Sequence, residues 1–407
     1  MERLVENPFR AGAGHSPPHL AGRRVEKERF TRLLQQTDIT QNVVLTGLRG
    51  VGKTVLMDLE FKTIAQQSGW IWVGNDFSDH AFIDERNLAT RLLTDLSVFT
   101  SRLSLKQDEL PIGFGKETRK SRLPLDFGQL WRVFEVQPGL IVDRLKAVLE
   151  LVWKAVQSLK SRGVLFAYDE AQVVRDREDQ AQYPLATLLE TFQSVQRKGM
   201  RFMLLLTGLP TLFPKLVESR TYAERMFEVQ EVRRLSDDEC REAIRVPLKN
   251  SDIQFSPDLV ELITRRSGGY PYFLQFISRE VFDYIRATGK APPSHADLSA
   301  AIDSIAKRMD MDFFGGRWNK LPDRQRDLLF CVASLGTGED EFTISEIVNR
   351  SRELASEGKL RKPFRSNDVS QILPRLIEAG LIYRDRHGKY LFAVPLFGEY
   401  VLRVHEA

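Results

Sequence analysis

Residues 47–54 read Gly-Leu-Arg-Gly-Val-Gly-Lys-Thr, a complete G-x-x-x-x-G-K-T. The pattern has physical meaning only where a strand runs into a helix. Its glycines let the backbone curl until several N–H groups face one point, and the N-terminus of the next helix adds its dipole there. Both flanks are present. Val43-Val44-Leu45 is a short apolar run of buried-strand type that stops at Gly47, and Val55, Leu56, Leu59 and Phe61 give an apolar helical pattern after Gly52. The segment is therefore expected to cradle the phosphates of a nucleotide. Gly47, Leu48, Arg49, Gly50, Val51, Gly52 and Val55 form the cradle and its margin, Lys53 reaches the β- and γ-phosphates, and the Thr54 hydroxyl ligates Mg²⁺.

Such a cradle calls for a metal-side carboxylate at the end of another buried strand. The run Gly163-Val-Leu-Phe-Ala-Tyr168, followed by Asp169-Glu170, supplies it. Neighbouring side chains on a strand point to opposite sides, which divides the pair. Asp169 is expected to hold Mg²⁺, commonly through a water, and Glu170 to polarise the attacking water as general base. The blander alternative is a solvated acidic turn. A third strand, Arg201 to Leu206, ends at Thr207. Ligands in open α/β sheets bind at the carboxyl ends of strands, so Thr207 either hydrogen-bonds the γ-phosphate or attacking water, or caps a helix starting near Pro210.

Composition sets the wider frame. At a soft prior of ~150 residues per domain, 407 residues suggest two or three domains. The 42% hydrophobic and 28% charged content is that of a globular chain and argues against disorder. Fifty-nine basic less 55 acidic residues leave +4, too small an excess to require or exclude a nucleic-acid partner. Only Cys240 and Cys331 occur, which excludes a disulfide framework and points to a reducing, cytoplasmic setting. No stretch approaches ~18 uncharged apolar residues, so no membrane association is expected. The six histidines show no metal-ligand spacing, leaving Mg²⁺ as the one metal expected.

With Walker A at Gly47 to Thr54, Walker B at Asp169 and Glu170 and sensor 1 at Thr207, the chain resembles the AAA+ and STAND branch of P-loop ATPases. The resemblance is to the initiator-like (Cdc-type) and "archaeal ATPase" groups in particular. It implies an α/β fold: a P-loop three-layer αβα ATPase core with a parallel sheet, a helical lid and a C-terminal winged helix-turn-helix. It also implies ATP with Mg²⁺, and slow hydrolysis. Leu20 to Glu26 resembles the L-x-G-R-x-x-E segment that lies along the adenine, which makes Gly22 and Arg23 nucleotide contacts. Arg225, with Arg220 in reserve, stands where the family places an arginine that reaches a neighbouring subunit's γ-phosphate; this implies self-association, a plain surface arginine being the alternative. Gly269-Tyr270-Pro271 resembles the G-x-P turn of family lids, which makes Pro271 a further nucleotide contact. Arg265, Arg266 and Arg279 are nearby, none in an unambiguous sensor-2 position.

Three domains follow: a core at 1–235, a lid at 236–315 and a winged helix at 316–407. In the lid, Ser236 with Glu239 three residues later has capping-box form. Within the core, residues 104–138 read as an insertion. Its six basic residues between 101 and 125 and its aromatics Phe127, Trp131 and Phe134 suggest either a nucleic-acid or partner loop or a plain surface insertion. The last domain is expected as three helices (from Arg324, from a Thr343 cap, and Ser366 to Ala379) and a hairpin turning at His387-Gly388. Its charge is balanced, 13 basic against 13 acidic residues from Leu321 on. Its positives gather at Lys359, Arg361, Lys362 and Arg365 and at Arg384, Arg386 and Lys389, where phosphates of double-stranded DNA would meet them. The expected function is an ATP-driven switch coupled to DNA binding or assembly. The rival is a STAND-like signalling scaffold that holds nucleotide tightly and docks proteins.

Overall fold

A computed structural model describes residues 6–12, 16–74, 76–77, 83–106, 122–288, 295–336, 340–386, 388–394 and 396–405. The chain divides into two compact units. One comprises Arg24–Thr46 and Lys53–Glu231; the other comprises Met1–Arg23, Gly47–Gly52 and Val232–Ala407.

The first unit is built on a parallel sheet. Its strands are β1 (Asn42–Thr46) and β2 (Trp70–Val73), then, beyond a short antiparallel pair β3 (Ser104–Lys106) and β4 (Arg122–Pro124), β5 (Gly163–Tyr168), β6 (Phe202–Gly208) and β7 (Phe227–Glu231). The order across the sheet is β2-β5-β6-β1-β7, every pair parallel. β1, β5 and β6 are buried along their whole length, as their unbroken apolar sequences require of strands covered on both faces. This order sets the carboxyl ends of β5, β6 and β1 side by side, although they are far apart in sequence. Thr46 lies opposite Gly208, and Tyr168 opposite Leu206.

Helices Glu85–Thr100, Phe127–Val136, Ile141–Gln157 and Pro184–Arg197 share one apolar core with these strands. Asp84 and Asp126 cap the first two, accepting from the backbone N–H of Asn87 at 2.6 Å and of Gln129 at 2.9 Å. The second helix shows that the aromatic part of the 104–138 segment is packed structure. Leu130, Val133 and Phe134 are buried, and Trp131 stacks 5.7 Å from Phe127 and 5.0 Å from Phe134. The aromatic spacing is helical, i, i+4 and i+7, and serves packing. Residues 107–121, with Lys116, Arg119 and Lys120, lie outside the described residues.

In the second unit, helices Asp237–Leu248, Pro257–Ser267, Pro271–Thr288 and His295–Met309 precede Asp323–Ala333, Ile344–Ser356 and Ser366–Glu378. The hairpin β8 (Ile382–Arg386) and β9 (Lys389–Phe392) follows; His387 at its turn lies outside the described residues. Both expected caps form: Ser236 and Thr343 head capping boxes with Glu239 and Glu346. A last helix, Phe397–His405, was not anticipated. His405 stacks on Phe330 with centroids 3.6 Å apart, and Arg403 grips Asp310 in two hydrogen bonds of 2.7 and 3.1 Å. Burial leaves the Asp310 carboxyl above its ordinary range, and Arg403 offsets only part of that rise. Cys240 and Cys331 are buried free thiols pushed up to about 12, which removes the reactive thiolate at neutral pH. No helix among the described residues is long and apolar enough to cross a membrane.

One polar side chain is built into the sheet core. Asn42, fully buried, accepts from the Leu204 N–H at 2.8 Å and donates to the Met226 carbonyl at 3.2 Å, tying β1 to the starts of both neighbours. A buried group left without its partner costs about 1–3 kcal/mol. Asn42→Ala leaves two buried backbone groups without this partner and frees the Gln196 amide, so the urea midpoint is expected to fall by the equivalent of about 2–6 kcal/mol. An unchanged midpoint would mean that Asn42 does not hold the sheet.

Candidate functional site

In the first unit, the parallel order brings three sequence motifs onto one carboxylate. Thr54, in the helix turn Lys53–Val55, donates its hydroxyl to Asp169 Oδ2; Thr207, at the end of β6, donates to Oδ1. Oδ1 also accepts the Glu170 N–H at 2.8 Å. Asp169 is buried, as is Lys53, and Val55 follows in the same turn. Thr207 therefore serves the carboxylate and not a helix cap: the next helix starts at Leu212, and its cap residue is Thr211.

Further negative charge surrounds this point. Asp76 bridges to the backbone of Asp169, and the Phe77 N–H donates to the Asp169 carbonyl at 3.1 Å. Asp58 is pushed up chiefly by burial, with Lys62 pulling it down and Asp169 and Asp76 raising it further. The Thr54 hydroxyl and the Asp169 carboxylate are hard oxygen donors of the kind Mg²⁺ takes with substrate phosphates and water. Among the described residues no three acidic, histidine or cysteine side chains group into a metal site of their own.

Glu170 departs from the expected geometry. It lies beyond the end of β5 in the left-handed region, at φ 52°, so the turn and not strand alternation separates it from Asp169. Its carboxylate accepts from the Gln172 side-chain amide, whose oxygen accepts the Leu209 N–H at 3.1 Å. Gln172 was missed by the sequence reading, and no spacing rule marks an amide two positions after a paired carboxylate. Arg225 is exposed on the one-turn helix Ala223–Met226, while Arg220 pairs with Glu190 at 3.4 Å.

In the second unit, the loop 47–52 is held by its carbonyls. Gly50 O accepts the Tyr272 N–H at 3.3 Å, and Val51 O accepts from the Arg23 guanidinium at 2.8 Å. Gly50 and Gly52 have φ of +81° and +92°, conformations that other residues rarely adopt. Arg23 is buried and follows Gly22, both at positive φ; Gly22 lies against Glu239. Pro271 opens the helix Pro271–Thr288, directly before Tyr272. Of the sensor-2 candidates, Arg279 is engaged with the Ala11 carbonyl and Glu280, while Arg265 lines a cavity of about 660 Å³ bordered also by Arg233, Arg234, Glu239, Gly268 and Gly269. Asn7 donates to the Arg279 carbonyl at 3.0 Å and Phe9 stacks on Phe255, so the N-terminal segment docks on the helix Pro271–Thr288 and on the residues just before Pro257.

Gly47 meets the Val232 carbonyl so closely that an added Cβ would lie 2.4 Å from its oxygen. A backbone atom cannot swing aside. Gly47→Ala is expected to cost about 1–3 kcal/mol by overpacking, read as a lower urea midpoint. A midpoint equal to that of the native sequence would show that the loop has room the structure denies it.

Residues 311–401 match a family described as a domain of unknown function (DUF8462). No curated protein matches the sequence. Among solved structures, a Walker-type ATPase of Pyrococcus abyssi superposes with TM-score 0.60 at 16% identity, over 94% of this chain and 96% of that one. The ORC2 protein of Aeropyrum pernix superposes with TM-score 0.53 at 17% identity in its ADPNP–ADP complexes, over 97% and 96%. Its ADP form gives 0.54 at 16% identity, over 98% of each chain. With the phosphate-loop motif and the parallel sheet order, the chain has the fold of the Walker-type ATPase of Pyrococcus abyssi and of the ORC2 protein of Aeropyrum pernix.

Proposed function

We propose that this protein binds and hydrolyses ATP and uses the nucleotide state to control a C-terminal winged helix that engages double-stranded DNA. The observation that carries the reading is the convergence of Thr54 and Thr207 on Asp169, three motif positions that only a nucleotide site has reason to join. Lys53 and the loop from Gly47 to Val55 hold the triphosphate, with Gly22, Arg23 and Pro271 on the side of the base. Thr54 and Asp169 would hold Mg²⁺, which when bound would neutralise charge on the phosphate oxygens. Glu170 takes the proton of the attacking water, and Thr207 keeps Asp169 oriented. Arg225, exposed on its short helix, is free of the sheet and suits completion of a neighbour's site in a self-associated form.

The working division is a core at 1–235, a lid at 236–315 and a winged helix at 316–407. For DNA, support comes from Arg361, Lys362 and Arg365, all exposed and immediately before the helix Ser366–Glu378. The Arg386 side chain lies outside what the structure describes.

Lys53→Ala is expected to weaken ATP binding about a hundredfold or more. Glu170→Gln should keep binding and lose about 10²–10⁴-fold in hydrolysis, the usual worth of a general base. DNA retention should respond to nucleotide and fall steeply with salt. Wild-type-like behaviour of both variants in nucleotide and DNA assays would sink the proposal.

One observation favours the second reading, a STAND-like holder with little hydrolysis that docks proteins: Glu170 is already engaged by Gln172. ADP that co-purifies with the protein, together with no DNA retention at any salt concentration, would select it.

A further inference from the structure

The chemistry of a phosphate loop asks nothing of its x positions, yet here Leu48 and Arg49 are placed. Leu48 packs against Tyr383, Leu391 and Ala393, in and just after the hairpin of β8 and β9. The guanidinium of Arg49 lies against Gly380, 3.5 Å from where a Cβ would stand. Next in sequence come Gly50 and Val51, whose carbonyls are held by Tyr272 and Arg23. Four consecutive loop residues are thus anchored on their outer side.

That anchoring aims the loop's donors. In a trans peptide the C=O and the following N–H point in opposite directions. With the carbonyls of Gly50 and Val51 turned to Tyr272 and Arg23, the N–H groups of Val51 and Gly52 are turned the other way, to the inner side of the loop. Two aligned amides of this kind form an anion-binding concavity. The Tyr272 end is itself fixed: its ring lies 5.3 Å from Phe313, over which Arg317 sits at 4.9 Å.

We infer that the C-terminal hairpin is a working part of the phosphate cradle: seating Leu48 against the Tyr383, Leu391 and Ala393 cluster orders the loop for nucleotide, so that displacement of the hairpin releases nucleotide and bound nucleotide holds the hairpin in place. Leu48, Tyr383 and Leu391 are positioning residues, acting through the loop amides. The inference rests on the nucleotide-binding reading above and adds its control. It gives the C-terminal domain a direct hold on nucleotide affinity, and any partner that occupies the apolar side of the hairpin would compete with the loop for it.

Equilibrium binding of Mg·ADP to the full chain tests it, with Leu48→Ala, Leu391→Ala and the double variant in one cycle. Each single substitution is expected to raise Kd about tenfold, within the usual range of coupling between sites, and the double is expected to be no worse than either, because both remove the same contact. Reciprocity supplies a readout that a purely structural role would not move. Saturating ADP should slow amide exchange across residues 382–392 in the native sequence and fail to do so in Leu48→Ala. Unchanged affinity in Leu391→Ala, additive losses in the double variant, or hairpin exchange indifferent to ADP would each overturn the inference. If Lys53→Ala abolishes ADP binding while the hairpin variants do not alter it, this inference fails alone; if the native chain binds no nucleotide, both readings fall together.

Discussion

Two threonine hydroxyls meeting on the carboxylate of Asp169 are the interaction on which the first unit's arrangement turns. Thr54 comes from the helix after β1, Asp169 from the end of β5 and Thr207 from the end of β6. In the observed order β6 lies between β1 and β5, which brings the carboxyl ends of the three strands side by side. Asn42 guards the same order from the opposite end, since its amide fastens β1 to the backbone of β6 and to Met226 at the start of β7. Sheet order and site chemistry are therefore one constraint seen at two ends of the same strands.

A buried carboxylate is costly unless its lone pairs are used. The two hydroxyls and the Glu170 N–H use them, so Asp169 keeps a fixed orientation. The neighbouring Glu170 is treated differently: a left-handed turn takes it off the strand line, and Gln172 occupies its carboxylate. One carboxylate is held by three hydrogen bonds and the other by a single side-chain amide, so the two adjacent acids sit in different surroundings.

Much of this was legible because the signals are local. The apolar runs that became β1, β5 and β6 end where expected, and the Ser236–Glu239 and Thr343–Glu346 caps form as spelled, since a capping box needs only residues three apart. The failures are equally physical. Phe127, Trp131 and Phe134 were weighed as part of a partner loop or a surface insertion, while the i, i+4, i+7 spacing and the Asp126 cap carried the helical signal. Glu170 was assigned to a strand face because a left-handed turn at a non-glycine residue leaves no mark in sequence. Gln172 is visible only once the β5 and β6 ends are side by side.

The contact of Leu48 with the hairpin was beyond sequence reasoning for another reason. A leucine in a phosphate loop satisfies the motif as well as any residue, and its partners Tyr383 and Leu391 satisfy the alternation of a hairpin on their own. Each position is fully explained locally, so neither raises a question until they are seen together. The same reasoning bears on the charge of the C-terminal domain. Balanced at 13 against 13, it offers no long-range field. Besides its bridge to Phe342 and the ring contacts of Phe392, the hairpin meets the phosphate loop through an apolar contact within its own unit. A domain that was read first for its scattered basic residues is thus tied to the nucleotide motif by three apolar side chains around a leucine.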